Sequence, residues 1–158
     1  MSNWTHVAAI FRCDVLIDWN TNPDETFDES IERIFGKQFP SYPLDLEDYD
    51  AWEQYSAAMT DAENNPGDYI PFGSEGGLTI SVWENPDPHY LARYTISIFG
   101  DLRDHDDVEL IHTWFTESCS KVGWLRQAVC TAHNEYYGTK SWTSCGCDDE
   151  EENEEGDE

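Results

Sequence analysis

Two acidic segments contain the residues of this chain best suited to binding chemistry. In residues 45–55 carboxylates alternate with aromatic rings, and in residues 100–109 five acids surround a predicted strand-to-helix corner. Carboxylates steer basic partners, and exposed Tyr and Trp are frequent anchors of protein interfaces. Acidic residues are favoured at solvent-exposed helix N-termini, and this alone would account for the acids of the second segment. It does not account for the aromatic residues among the acids of the first segment. The candidate partner-binding residues are Asp45, Glu47, Asp48, Tyr49, Asp50, Trp52, Glu53, Tyr55, Asp101, Asp104, Asp106 and Asp107.

Metal binding and catalysis have weaker support in the sequence. Cys130 and His133 on one strand would point to opposite faces, and Cys145 and Cys147 are closer together than zinc ligands usually are. No nucleophile elbow, phosphate-binding loop or zinc-protease motif occurs. We therefore expect a protein that is not an enzyme and has no metal or cofactor, with its odd number of cysteines remaining as thiols in a reducing compartment.

The net charge restricts the class of partner. The 158 residues include 34 Asp and Glu but only 8 Lys and Arg, a formal charge of −26. Nine of these acids lie in residues 148–158, and about −17 remains on the aromatic-rich chain before them. Such a body repels phosphates, which excludes direct nucleic-acid binding and favours a basic protein partner. We expect one domain at residues 1–145 and a disordered acidic tail at 146–158.

No sequence feature indicates a membrane or an export signal. Apolar runs are shorter than the roughly 20 residues that span a bilayer, and residues 1–12 lack the basic and apolar regions of a signal peptide. A soluble, cytoplasmic protein is expected.

The strands and helices that position these residues are predicted from the hydrophobic periodicity of the sequence and from helix-capping residues. Strands are predicted at 4–13, 77–83, 91–100 and 125–133. One helix begins at a capping box of Thr26 and Glu29 and ends at Gly36; a second is capped by Asp104 and ends at Gly123. The order βαββαβ predicts an α+β, ferredoxin-like fold, with a four-stranded antiparallel sheet and two helices on one face. A long insertion at about 38–76 separates the first helix from the second strand.

Such a sheet leaves one face without helices. Alternation places Trp83, Thr95 and Phe99 on that face, within a surface rich in Thr and Ser. It could stack a nucleotide-like ligand, pair with a second subunit as a homodimer, or be covered by the insertion. All three alternatives stay open from the sequence.

The segment SEGGLTISVWENPDPHYLARYTISIFGDLRDHDD, together with WTHVAAIFR, resembles small uncharacterised proteins of bacteriophages and prophages of Gram-positive bacteria. The resemblance covers residues 4–12 and 70–133. It implies a setting of conflict between mobile elements and their hosts, in which acidic proteins often inhibit defence nucleases. By analogy we expect a phage-type anti-defence inhibitor, anti-CRISPR or anti-restriction, that mimics DNA and occupies a basic cleft of a host nuclease complex. A small-ligand sponge or an oligomerising accessory protein is the alternative.

Overall fold

A computed structural model describes residues 2–17, 20–39, 43–87, 89, 91–105 and 107–144. The elements are β1 (Trp4–Val15), α1 (Phe27–Phe35), α2 (Tyr49–Asn64), β2 (Leu78–Glu84), β3 (Tyr94–Arg103), α3 (Val108–Lys121), β4 (Gly123–Asn134) and β5 (Gly138–Ser144). A short 3₁₀ turn, Pro66–Asp68, follows α2. The predicted tail at 146–158 lies outside the described residues, as do Asp106, Cys145 and Cys147.

The five strands of the described residues form one antiparallel sheet in the order β2-β3-β1-β4-β5, with β1 at its centre. The α+β class is therefore confirmed. The predicted number of elements was wrong, because the sheet has five strands and the described chain has three helices. The fifth strand pairs with β4 through a tight turn at residues 135–137, and its run GTKSWTS has too few apolar residues to show an alternating pattern.

The core lies between one face of the sheet and helices α1 and α3. Phe11, fully buried in β1, contacts the rings of Phe35, Trp114 and Phe115, at centroid distances of 5.0 to 6.2 Å. The Trp114 indole also donates a hydrogen bond of 2.7 Å to the Phe35 carbonyl. These contacts join both helices to the middle of the sheet, as the βαββαβ pattern predicts.

The ends of α1 lie where the sequence predicts them, whereas α3 begins at a different residue from the predicted one. Thr26 caps α1 by accepting a hydrogen bond from the Glu29 amide, and Gly36 ends it at φ +105°. A Cβ at Gly36 would lie 2.6 Å from the Ile70 amide nitrogen, so glycine is needed for this close approach. Asp107, not Asp104, caps α3; Asp104 occupies a turn with φ 56°. The prediction that Asp104 begins this helix was wrong.

The other side of the sheet, here called the open face, is exposed to solvent. Trp83 is 55% exposed and Phe99 is 53% exposed. The described residues of the insertion therefore do not cover it, contrary to one of the three alternatives. The register and burial pattern assign it the following side chains: Trp4, His6, Ala8, Ile10, Arg12, Asp14, Thr79, Ser81, Trp83, Thr95, Ser97, Phe99, Asp101, Arg103, Gln127, Val129, Thr131, His133, Thr139, Ser141 and Thr143.

Among the described residues, none of the helices has the length and apolar character needed to cross a membrane.

Candidate functional site

The first predicted segment forms the approach to α2 and its first two turns. Residues 44–50 are all exposed, and Tyr49 is 80% exposed. Two of the carboxylates have local structural roles: Asp45 accepts a hydrogen bond from the Glu47 amide at 2.9 Å, and Asp48 caps the helix by accepting one from the Ala51 amide at 3.1 Å. The remaining acids of the segment, Glu47, Asp50 and Glu53, are exposed to solvent.

The two aromatic anchors that were predicted farther along α2 are only half-exposed. Trp52 and Tyr55 contact each other edge to face, with centroids 6.1 Å apart. Tyr55 also contacts Phe39, which stacks on Phe72 with a centroid distance of 5.2 Å. This second aromatic cluster, outside the main core, holds α2 beside the sheet. Its members come from positions 39, 55 and 72, and no sequence period connects them.

A hydrogen bond fixes the far end of α2 to the same cluster. The Tyr69 hydroxyl donates to Asp61 at 2.6 Å. This bond lowers the pKa of Asp61, and it raises the pKa of Tyr69 to about 12. The Tyr69 ring packs against Phe39 and Phe72. Helix α2 is thereby attached at both ends although only Ala62 of its residues is fully buried.

The acidic cleft lies between α2 and the start of β2. Its volume is about 1070 Å³. Tyr55, Met59 and Glu63 line it from a single face of α2, since residues four apart lie above one another on a helix. The opposite wall comes from residues 72–79 together with Asp104 and His105. Three carboxylates, Glu63, Glu75 and Asp104, and the stacked rings of Phe39 and Phe72 thus share one concave surface. Arg103 pairs with Glu75 at 2.8 Å and lies 3.7 Å from Asp104, so it offsets part of this negative charge.

The carboxylates of the second predicted segment lie on different surfaces of the protein. Asp104 lines the acidic cleft, where it accepts hydrogen bonds from the Ser74 hydroxyl at 2.9 Å and the Asn3 amide at 3.4 Å, which lower its pKa. Asp101 instead lies on the open face and bonds His6 at 2.6 Å. Asp107 caps α3. The structure therefore brings Asp104 together with Tyr55 of the first segment, and separates Asp101 and Asp107 from them.

Sequence reasoning missed most of the cleft. Phe39, Met59, Glu63, Phe72 and Glu75 were not singled out, because they lie in the insertion and become neighbours only through tertiary contacts. The closely spaced prolines and aromatics of residues 66–72 were the available signal that this insertion has its own packed cluster.

The alternative ligand residues lie on the open face but not around one site. Trp83 pairs with Thr95, and Phe99 is four residues farther along β3, about 13 Å at the usual strand rise. One planar ring cannot stack on both. A ligand that contacts only Trp83 and Thr95 is compatible with the register, because these two residues are paired across β2 and β3.

Metal-ligating residues do not converge in the described part of the chain, where no three His, Cys, Asp or Glu side chains are placed to hold an ion. Cys130 is buried beneath the helices while His133 is exposed on the open face. Burial raises the pKa of both Cys13 and Cys130 to about 12, so these thiols stay protonated at neutral pH.

No protein-family model, curated protein or solved structure matches the chain. The resemblance to phage proteins therefore stays a prediction.

Proposed function

We propose that this protein is a non-catalytic inhibitor that binds a basic protein surface through the acidic cleft and the exposed carboxylates beside it. The observation that carries the proposal is the shared surface of Glu63, Glu75 and Asp104 with the stacked Phe39 and Phe72. Carboxylates neutralise a cationic side chain, and aromatic faces attract it further. An Arg or Lys side chain projecting from a partner is the chemistry that this surface fits.

The chain before α2 and the first two turns of this helix add further exposed carboxylates. Asp45, Glu47, Asp50 and Glu53 are exposed in the same stretch of chain as Tyr49, which is 80% exposed. A nucleic-acid-binding protein presents Arg and Lys toward phosphates. Carboxylates on a helix and its approach can occupy that basic channel in place of phosphates, which is the mimicry that the charge of −26 favours.

The proposed biological role is therefore inhibition of a host defence nuclease, of the CRISPR or restriction type, by a phage-encoded protein. Its support is the charge, the site and the resemblance of residues 70–133 to phage proteins. We further propose that the βαββαβ part is a ferredoxin-like unit, to which α2 and β5 are additions. The strand order β2-β3-β1-β4 supports this part of the proposal.

The test is a set of binding and nuclease-protection assays against CRISPR and restriction effectors over a range of salt concentrations. The test variant reverses three acids that have no capping role, Glu47→Lys, Asp50→Lys and Glu53→Lys. The control variant, Asp24→Lys, Glu32→Lys and Glu117→Lys, changes the net charge equally at exposed positions that do not line the cleft. We expect the test variant to lose protection and the control variant to retain most of it.

Equal losses in both variants would show that only the overall field matters and would contradict a localised site. Binding that does not weaken with salt would contradict electrostatic mimicry, since screening shortens the range of these interactions. Asp104→Asn and Glu63→Gln then test the cleft itself, and both should weaken binding.

A further inference from the structure

The open face is nearly free of the acids that dominate the rest of the chain. Among the described acids, Asp14 and Asp101 lie on the open face and Glu135 lies at its margin, where it bonds His6 at 3.2 Å. The other members of the face are mainly Ser and Thr, with Ile10, Val129, Phe99 and Trp83 among them. Apart from the histidines, Arg12 and Arg103 balance Asp14 and Asp101, and Glu135 adds one negative charge at the margin of the face. A basic partner would not select this surface, because most of the carboxylates that attract it lie elsewhere.

We propose that the open face binds the open face of a second copy of this chain, forming a two-fold symmetric dimer. Two bodies of strongly negative charge repel each other in most orientations. Approach through two nearly neutral faces brings the fewest carboxylates together. Packing of sheet on sheet at about 10 Å is a common arrangement of such faces, and a two-fold axis requires the same surface on each copy.

Arg12 and Asp101 suggest the orientation of the second copy. Arg12 lies toward one end of β1, and Asp101 lies opposite His6 toward the other end. Arg12 makes no ion pair with any described residue of its own chain, whereas Arg33, Arg93 and Arg126 each bind a carboxylate. An axis that crosses β1 near Ile10 at a right angle places Arg12 of each copy toward Asp101 of the other. The surface is therefore complementary to itself.

The area of the face is sufficient for a specific but modest association. Five strands at about 4.8 Å spacing and about 20 Å of shared length give about 500 Å² on each copy. The total of about 1000 Å² is near the lower limit of specific interfaces. Ile10, 43% exposed on the central strand, lies near the middle of this area.

The test measures the mass of the full chain in solution by sedimentation equilibrium over a range of protein concentrations. The measurements are made in about 0.01 M and in about 1 M salt, because the Debye length falls from about 30 Å to about 3 Å between these conditions. We expect a species of twice 18.2 kDa that is favoured by concentration and by salt. The salt trend is opposite to that expected for a basic partner, so the dimer and the proposed inhibition succeed or fail separately.

Ile10→Glu places a new carboxylate at the centre of both faces and should abolish the dimer at all salt concentrations. Leu110→Glu, at an exposed position of α3, makes the same type of change outside the face and should leave the dimer intact. A wild-type monomer under every condition would overturn the proposal. A dimer that dissociates as salt is added would also overturn it. The same holds if Ile10→Glu keeps the native fold by circular dichroism and still forms the dimer.

Discussion

Asn134 is the residue whose removal is expected to have the most informative effect on folding. It is fully buried at the end of β4. Its Nδ2 donates to Thr5 Oγ1 at 2.9 Å, and its Oδ1 accepts from the amides of Tyr136 and Tyr137 at 2.9 and 3.0 Å. Thr5 in turn donates to the carbonyl of His105. One side chain therefore connects β1, the β4–β5 turn and the loop before α3.

Asn134→Ala should lower the free energy of unfolding by about 2–3 kcal/mol. Three hydrogen bonds contribute about 1 kcal/mol each, and the two turn amides recover part of this by binding water. The assay is urea denaturation followed by Trp fluorescence, with the midpoint and the slope compared between proteins. Asn64→Ala, at an exposed position near the end of α2, is the control and should change the free energy by less than about 0.5 kcal/mol.

A double-mutant cycle with Thr5→Val isolates the bond between Thr5 and Asn134. Because both side chains are buried, the double variant should be less destabilised than the sum of the single variants, by about 1 kcal/mol. The reasoning is refuted if Asn134→Ala behaves like Asn64→Ala, or if the two substitutions are additive. Either result would mean that the turn and β1 are not connected through this side chain.

Two further predictions concern pH. The hydrogen bond to Asp101 raises the pKa of His6. The stabilising contribution of this bond should therefore be complete below pH 6.5 and disappear as the pH rises through the pKa of His6 in the folded protein. Urea midpoints of dilute protein should show this loss for the wild type and should not show it for His6→Gln. Tyr69→Phe removes the bond that lowers the pKa of Asp61, so wild type should exceed this variant in stability above about pH 4 and lose the advantage as acid protonates Asp61. Tyr49→Phe at an exposed position should have no such effect, and an equal response of both tyrosine variants would contradict the assignment.

Local sequence signals were sufficient for the regular parts of the fold. The alternation of β1 gives Val7, Ala9 and Phe11 one common face, and this face is buried in the core; the Thr26 capping box located the start of α1. These signals depend only on residues a few positions apart. The cap of α3 was misplaced because several acids precede it, and each can bond a nearby amide; backbone geometry selects Asp107 and leaves Asp104 in a turn.

The candidate site was less accessible to sequence reasoning. Tyr55 was recognised as an aromatic among acids, but its contact with Phe39 and the position of Asp104 across the cleft depend on how the insertion packs. Asp101 and Asp104 are three residues apart in sequence and belong to different surfaces, since one lies on the strand and the other in the turn that follows it.

The sequence by itself determined the charge of the protein, the class of its fold and the alternation that separates the two faces of the sheet, because composition and periodicity require no long-range contact. Only the tertiary structure decided that the insertion packs beside the sheet and leaves the open face exposed, and that Glu63 and Glu75 of the insertion meet Asp104 of the second acidic segment around an aromatic cleft. Those outcomes depend on contacts between residues tens of positions apart, such as Phe39 with Phe72 and Asp104 with Ser74. Their energies become available only when the chain has closed the loops between them.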